Sequence, residues 1–180
     1  KTFMWPKSFW YKVYEPFIRK AAGLGIASVE KDKERYEHKY EYCDLLVTGS
    51  GPAGLSSAYS AAKNGAKVIL AEDKPRFGGS LLTDDVTIDN LSGKDWADKI
   101  ITELKEMPNV IVKNRSQVFG YYDHNMMVMF ERTGDHLNDK PKYTPRQRLW
   151  YVRAKEVLLS TGSIERPMIF DNNDRPGILL

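Results

Sequence analysis

At 180 residues the chain has room for about one domain with a single main core. Hydrophobic residues make up 42% and charged residues 28%, which argues against a disordered chain, and no apolar run approaches the roughly 20 residues that span a bilayer. The net charge of +3 comes from 27 basic and 24 acidic residues scattered along the chain, without the clustered basic face that a nucleic-acid partner requires.

The start, "KTFMWPKSFWYKVYEPF", is dense in aromatics and lacks the h-region and cleavage site of a secretory signal, so no membrane partner and a cytoplasmic location are expected. Pro6 and Pro16 argue against one long helix, because an interior proline loses a hydrogen bond and clashes with the preceding turn; two short helices are predicted, Ser8–Tyr14 and Pro16–Ala22. This arm reads equally as packing on its own domain or as a partner surface. After Gly23 and Gly25, "EKDKERYEHKYEY" reads as a charged, solvated connector, so residues 1–42 are expected to form an arm and linker and residues 43–180 a second domain.

From Cys43 the pattern becomes "CDLLVTGSG", a short apolar run suited to a buried parallel strand. An Ala-rich segment with helical spacing at Leu55, Ala58 and Ala62 follows. Gly65 stops that helix and Val68–Ala71 supplies a second strand, giving one β-α-β unit over residues 44–72. An amphipathic helix is predicted from Lys94 to Met107, with Trp96, Ile100 and Leu104 on one face and Pro108 ending it. Strands at Val110–Val112, Gln117–Tyr122, Met126–Phe130 and Arg148–Arg153 read as an inserted β-meander, and Val157–Leu159 as a return to the core sheet. The fold class expected is therefore α/β, a Rossmann-like FAD/NAD(P)-binding fold with a parallel sheet, an inserted β-meander and a short helical N-terminal arm. The missing initiator Met and the apolar end "RPGILL" suggest a piece of a longer protein, with a strand continuing past Leu180.

Cys43 is the single cysteine, which excludes an internal disulfide, a C-x-x-C pair and an iron–sulfur site. His38, His124 and His136 lie in polar surroundings without ligand spacing and read as surface residues, so no metal is expected.

Gly49, Gly51 and Gly54 match G-x-G-x-x-G directly after a strand and opening a helix, the context that gives this pattern meaning. Gly49 permits the sharp turn, Gly51 lets a pyrophosphate approach the backbone, and Gly54 lets the helix pack closely on the strand. Pro52 suits the first helical turn, and the N–H groups of Ala53 and its neighbours, with the positive end of the helix dipole, face the phosphates. Glu72 ends the second strand, where a carboxylate accepts hydrogen bonds from adenosine ribose hydroxyls and repels a 2′-phosphate. NAD or FAD is thereby favoured over NADP, although Lys74 and Arg76 weaken the exclusion, and Glu72 does not separate NAD from FAD. Asp73 and Lys74 are candidates for the adenine pocket, Gly79 and Ser80 of "FGGS" for the pyrophosphate or ribose, and Val118 for a backbone contact to adenine. Thr161 and Gly162 of "STGS" leave room near the cofactor.

The order strand–GSGPAG–helix–strand–Glu, then "GGSLL", a meander and "LLSTGSIERP", resembles the two-dinucleotide-fold flavoprotein superfamily. "KTFMWPKSFWYKVYEPFIRKAAGLG", "RYEHKYEYCDLLVTGSGPAGL", "FGYYDHN", "RQRLWYVRAKEVLLSTGSIERP" and "FDNNDRPGILL" are similar to the N-terminal half of the α subunits of heterotetrameric sarcosine oxidases. Ser160, where the superfamily usually has alanine, and Thr48, where a second valine is common, are small departures.

The resemblance implies a large subunit whose first half holds NAD at the Gly49–Gly54 turn, Glu72, Asp73, Lys74, Ser80 and Val118. It further implies FAD and FMN elsewhere in a complex with β, γ and δ subunits, and tetrahydrofolate at a C-terminal part beyond this chain. The complex would oxidise sarcosine with oxygen and pass the one-carbon unit to tetrahydrofolate. The segment itself offers no activated nucleophile or paired buried carboxylates, so no catalytic residue is expected in it. Two other readings stay open: an FAD-binding subunit of a related amine or opine dehydrogenase, and a non-catalytic docking scaffold.

Overall fold

The computed structural model describes residues 5–25, 28–164, 166 and 168–177; the expected strand beyond "RPG" falls outside them. The chain divides into two compact units, Lys1–Lys33 and Glu34–Leu180.

In the first unit a 3-10 turn (Lys7–Phe9) and a π-helical turn (Trp10–Tyr14) run directly into helix α1 (Glu15–Ala21). The break expected at Pro16 is absent. Pro16 sits in the first turn of α1, where an α-helix has no use for its missing N–H, and the Glu15 N–H reaches back to the Trp10 carbonyl. Glu15 and Arg19 then pair across one turn of the helix at 2.5 Å.

The second unit is built on a six-stranded sheet of order β5-β2-β1-β8-β7-β6. Strand β1 (Tyr36–Thr48) pairs in parallel with β2 (Val68–Ala71) and β8 (Gln147–Leu159), and β2 pairs in parallel with β5 (Val110–Lys113). Strands β6 (Ser116–Tyr122), β7 (Met126–Arg132) and β8 form the antiparallel meander. A two-stranded ribbon, β3 (Thr87–Ile88) and β4 (Leu91–Ser92), precedes helix α3.

Three expectations are corrected here. Residues 36–42 belong to β1 rather than to a connector. Val110–Val112 lies in the parallel sheet, not the meander, because α3 (Gly93–Glu106) makes the crossover that returns the chain parallel to β2. Arg148–Arg153 and Val157–Leu159 are one strand, whose first half serves the meander and whose second half serves the core.

Alternation along the parallel strands gives the sheet a core on each face. Val47, Val68 and Leu70 point to α2 (Pro52–Lys63) and α3, meeting Leu55, Ala58, Trp96, Ile100 and Leu104. Leu46, Ile69 and Ala71 point the other way and, with Cys43 before the break in pairing at Asp44, pack onto Met127, Met129, Trp150 and Val152. Helix α3 forms as its sequence predicts: Ser92 caps it by accepting from the Asp95 N–H, and its apolar stripe is buried. Burial pushes the Cys43 thiol up to about 12, so it serves as a small core residue. His38, His124 and His136 are exposed, as their polar surroundings imply.

Candidate dinucleotide site

Three parallel strands end at one place. Gly49 N–H donates to the Ala71 carbonyl at 2.8 Å and Ser160 N–H to the Thr48 carbonyl at 2.9 Å, tying the C-terminal ends of β1, β2 and β8. The connection from β1 departs toward β2 on one side while β8 lies on the other, so this is the point where strand order reverses and open α/β sheets leave a crevice.

The three glycines of the turn meet different demands. Gly49 has φ of +99°, and a Cβ there would lie 2.3 Å from the Ser160 carbonyl oxygen. A Cβ on Gly54 would lie 2.0 Å from the Gly49 carbonyl oxygen, so helix and turn touch backbone to backbone. Gly51 is different: no protein atom lies within 4 Å of where its Cβ would be. Gly51 is the N-cap of α2, Pro52 follows in the first turn, and no side chain caps the helix. The first helical hydrogen bond runs from Leu55 N–H to the Gly51 carbonyl, leaving the Ala53 and Gly54 N–H groups ahead of the ladder.

Beside the turn lies a cleft of about 630 Å³, within the range of small-molecule sites. Of the residues expected at the site, Gly49, Gly51, Pro52, Ala53, Glu72, Asp73, Lys74, Gly79, Ser80, Val118, Thr161 and Gly162 line it. Gly54 does not; it sits behind the turn, and its role is packing. Gly79, at φ of +55°, packs so closely that a Cβ would come within 2.9 Å of Gly51 Cα.

Glu72 is 6% exposed and is more engaged than its strand-end position suggests. Its Oε2 accepts from the Ser50 N–H at 2.8 Å and the Ser50 hydroxyl at 2.5 Å, and its Oε1 accepts from the Lys74 N–H at 2.9 Å. A carboxylate has about four acceptor positions, so these three bonds hold the group in place without exhausting it. Asp73 is half-exposed. Hydrogen bonding with the Glu72 carboxyl, then the Lys74 and Arg132 charges, hold it below the usual carboxylate range against the opposing effect of partial burial. Lys74 Nζ lies 3.5 Å from Asp73 Oδ2, which partly neutralises that cation at the cleft.

The sequence reading did not single out Ser50, Ser116, Gln117 or Ser163, which also line the cleft, and passed over Thr48 and Ser160 as mere departures. Ser160 accounts for its departure from alanine: its hydroxyl lies 2.9 Å from the Thr48 carbonyl and 3.0 Å from that of Gly49, bracing the turn. Thr48 Oγ1 is buried with no partner among the described residues, a polar atom left over at the strand end that lines the cleft. Ser50 occupies a variable position of the motif, and its hydroxyl is a signal that only the fold connects to Glu72.

The open Gly51, the uncapped helix start and the small residues around them fit a dinucleotide cofactor. A family model described as FAD dependent oxidoreductase matches residues 44–130. The chain is 48% identical over all its 180 residues to sarcosine oxidase subunit alpha of Rhizobium meliloti (strain 1021), of which it spans 18%. It is 38% identical over 161 residues, 88% of its length, to the protein of the same name from Corynebacterium sp. (strain U-96), of which it spans 17%. L-proline dehydrogenase from P. horikoshii superposes on 83% of this chain and 28% of its own at TM-score 0.58 and 24% identity, which shows the shared fold. The chain belongs to the family of sarcosine oxidase alpha subunits, built on the dinucleotide-binding fold of flavoprotein oxidoreductases.

Proposed function

We propose that this segment is the NAD-binding part of a sarcosine oxidase alpha subunit, a cofactor-holding module without a catalytic residue of its own. The observation that carries the reading is Gly51, open to the cleft at an uncapped helix start and flanked by Glu72. The Ala53 N–H offers a donor to the pyrophosphate at the start of α2. Glu72, fixed at the cleft wall, would accept from a ribose hydroxyl, and its charge would disfavour a 2′-phosphate. Gly79 and Ser80 close the phosphate side, Asp73, Lys74 and Val118 flank the adenosine, and Thr161 and Gly162 leave the passage clear. When bound, NAD supplies a nicotinamide able to exchange a hydride.

The larger assembly we infer carries FAD and FMN with β, γ and δ subunits, binds tetrahydrofolate outside this segment and works in the cytoplasm. It oxidises sarcosine with oxygen to glycine, hydrogen peroxide and 5,10-methylenetetrahydrofolate. To test the cofactor, the complete alpha subunit is purified, denatured, and its released non-covalent nucleotide identified by chromatography and absorbance. NAD is the expected product. Flavin bound in this cradle, with no measurable affinity for NAD, would overturn the proposal and favour the reading suggested by the FAD dependent oxidoreductase match.

A further inference from the structure

We propose that Ser50 is a positioning residue for nucleotide selectivity: it fixes the Glu72 carboxylate, so that the cradle rejects a 2′-phosphate through a residue that does not itself contact it. This rests on the reading of the cleft as an adenine-dinucleotide site.

The geometry leaves the Ser50 hydroxyl one arrangement. Ser50 is fully buried, and its Oγ accepts from the Gly78 N–H at 3.2 Å while lying 2.5 Å from Glu72 Oε2. A carboxylate has no proton to give, so the hydroxyl donates to Glu72 and receives from Gly78. Ser50 N–H donates to the same Oε2 at 2.8 Å, and the Gly78 N–H also approaches the Ser50 carbonyl at 3.1 Å. One residue thus binds the glycine turn, the acid at the end of β2 and the Gly78–Gly79 turn. With Oε2 held by two donors and Oε1 by the Lys74 N–H, the carboxylate is fixed in one orientation at the wall of the cleft. Removing the hydroxyl takes one donor from Oε2 and leaves the Gly78 N–H only the Ser50 carbonyl as its acceptor. Glu72 then turns, and both the ribose contact and the placement of its negative charge degrade together.

The test uses the complete alpha subunit freed of bound nucleotide, with ADP-ribose and 2′-phospho-ADP-ribose as probes of the adenosine half in calorimetric titrations. The parent is expected to bind ADP-ribose at least tenfold more tightly than its 2′-phosphate. Ser50→Ala is expected to reduce that ratio about tenfold, mainly by weakening ADP-ribose, and Ser50→Cys, with a weaker donor of similar size, to give an intermediate ratio. Glu72→Gln should reduce the ratio as well, and adding Ser50→Ala to it should change the ratio little further, because Ser50 acts through Glu72. Equal losses for both probes in Ser50→Ala, with the ratio preserved, would show a purely structural role and overturn the inference. If Ser50→Ala does not fold, Ser50→Cys carries the same comparison. A parent that binds neither probe overturns the dinucleotide reading itself, and this inference with it; a parent that binds with selectivity unaffected by Ser50 overturns this inference alone.

Discussion

Gly51 and Gly54 stand three residues apart in one turn and differ in what a side chain would meet. Where a Cβ on Gly51 would stand the space is open, and its φ of −68° and ψ of −177° suit any residue, so Gly51→Val is expected to leave the fold intact while filling the approach of a pyrophosphate. The expected outcome is a loss of nucleotide affinity of at least about 100-fold with a melting temperature within a few degrees of the parent. At Gly54 the added methyl meets backbone, the Gly49 carbonyl oxygen at 2.0 Å, which cannot yield as a flexible side chain would. Gly54→Ala is therefore expected to cost at least about 2 kcal/mol, read as a fall in thermal stability even without ligand. The motif told which glycines matter, and the structure separates a glycine open to the cleft from one kept for packing. Glu72 shows the limit of such reading: its position at a strand end is legible from spacing, whereas its bonds to Ser50 depend on a turn 22 residues earlier.

At the scale of strands, the half of β1 that reads as a connector explains what was hard to see. In "YEHKYEY" tyrosine and histidine alternate with charged residues, a period of two without the aliphatic residues that usually mark a strand. Pairing with β8 completes it: Tyr40 stacks on Tyr151 at 5.0 Å between ring centroids, and Lys39 Nζ lies 4.5 Å over the Trp150 ring on the opposite face. These partners are more than 100 residues away in sequence, so no local window contains the reason for the strand. The same long-range logic governs Glu131 on β7. Burial raises its pKa, but the Lys113 ammonium at 3.0 Å, the Trp150 indole N–H at 2.6 Å and the Arg148 guanidinium at 3.0 Å outweigh it, and the net direction is down. A lowered folded-state pKa contributes stability that is present above the ordinary carboxylate value, about 4.3, and is lost as pH falls through the folded value. Glu131→Gln is expected to destabilise the subunit by about 2 kcal/mol at neutral pH and to flatten its loss of stability between about pH 5 and 3. Thermal unfolding of parent and variant across that range checks this; parallel profiles would remove Glu131 from the acid response.

At the scale of the molecule, the sheet does two things with its strands. Its parallel half, β5-β2-β1-β8, brings three C-terminal strand ends to the cleft, and the meander β6-β7-β8 covers the face that α2 and α3 leave open. The β-α-β unit, α3 and the cleft residues were legible because each follows from local pattern: a glycine turn, a 3.6-residue stripe, an acid at a strand end. The full lengths of β1 and β8, and the place of β5 in the parallel sheet, come from pairing that only the assembled fold displays. The site that results has the features of a dinucleotide cradle, and the proposed refusal of a 2′-phosphate rests on Glu72 at its wall. The most direct test is a parallel titration of the intact, nucleotide-free alpha subunit with NAD, NADP and FAD. NAD is expected to bind at least tenfold more tightly than NADP and more tightly than FAD; equal binding of NADP, or preference for FAD, would contradict the account.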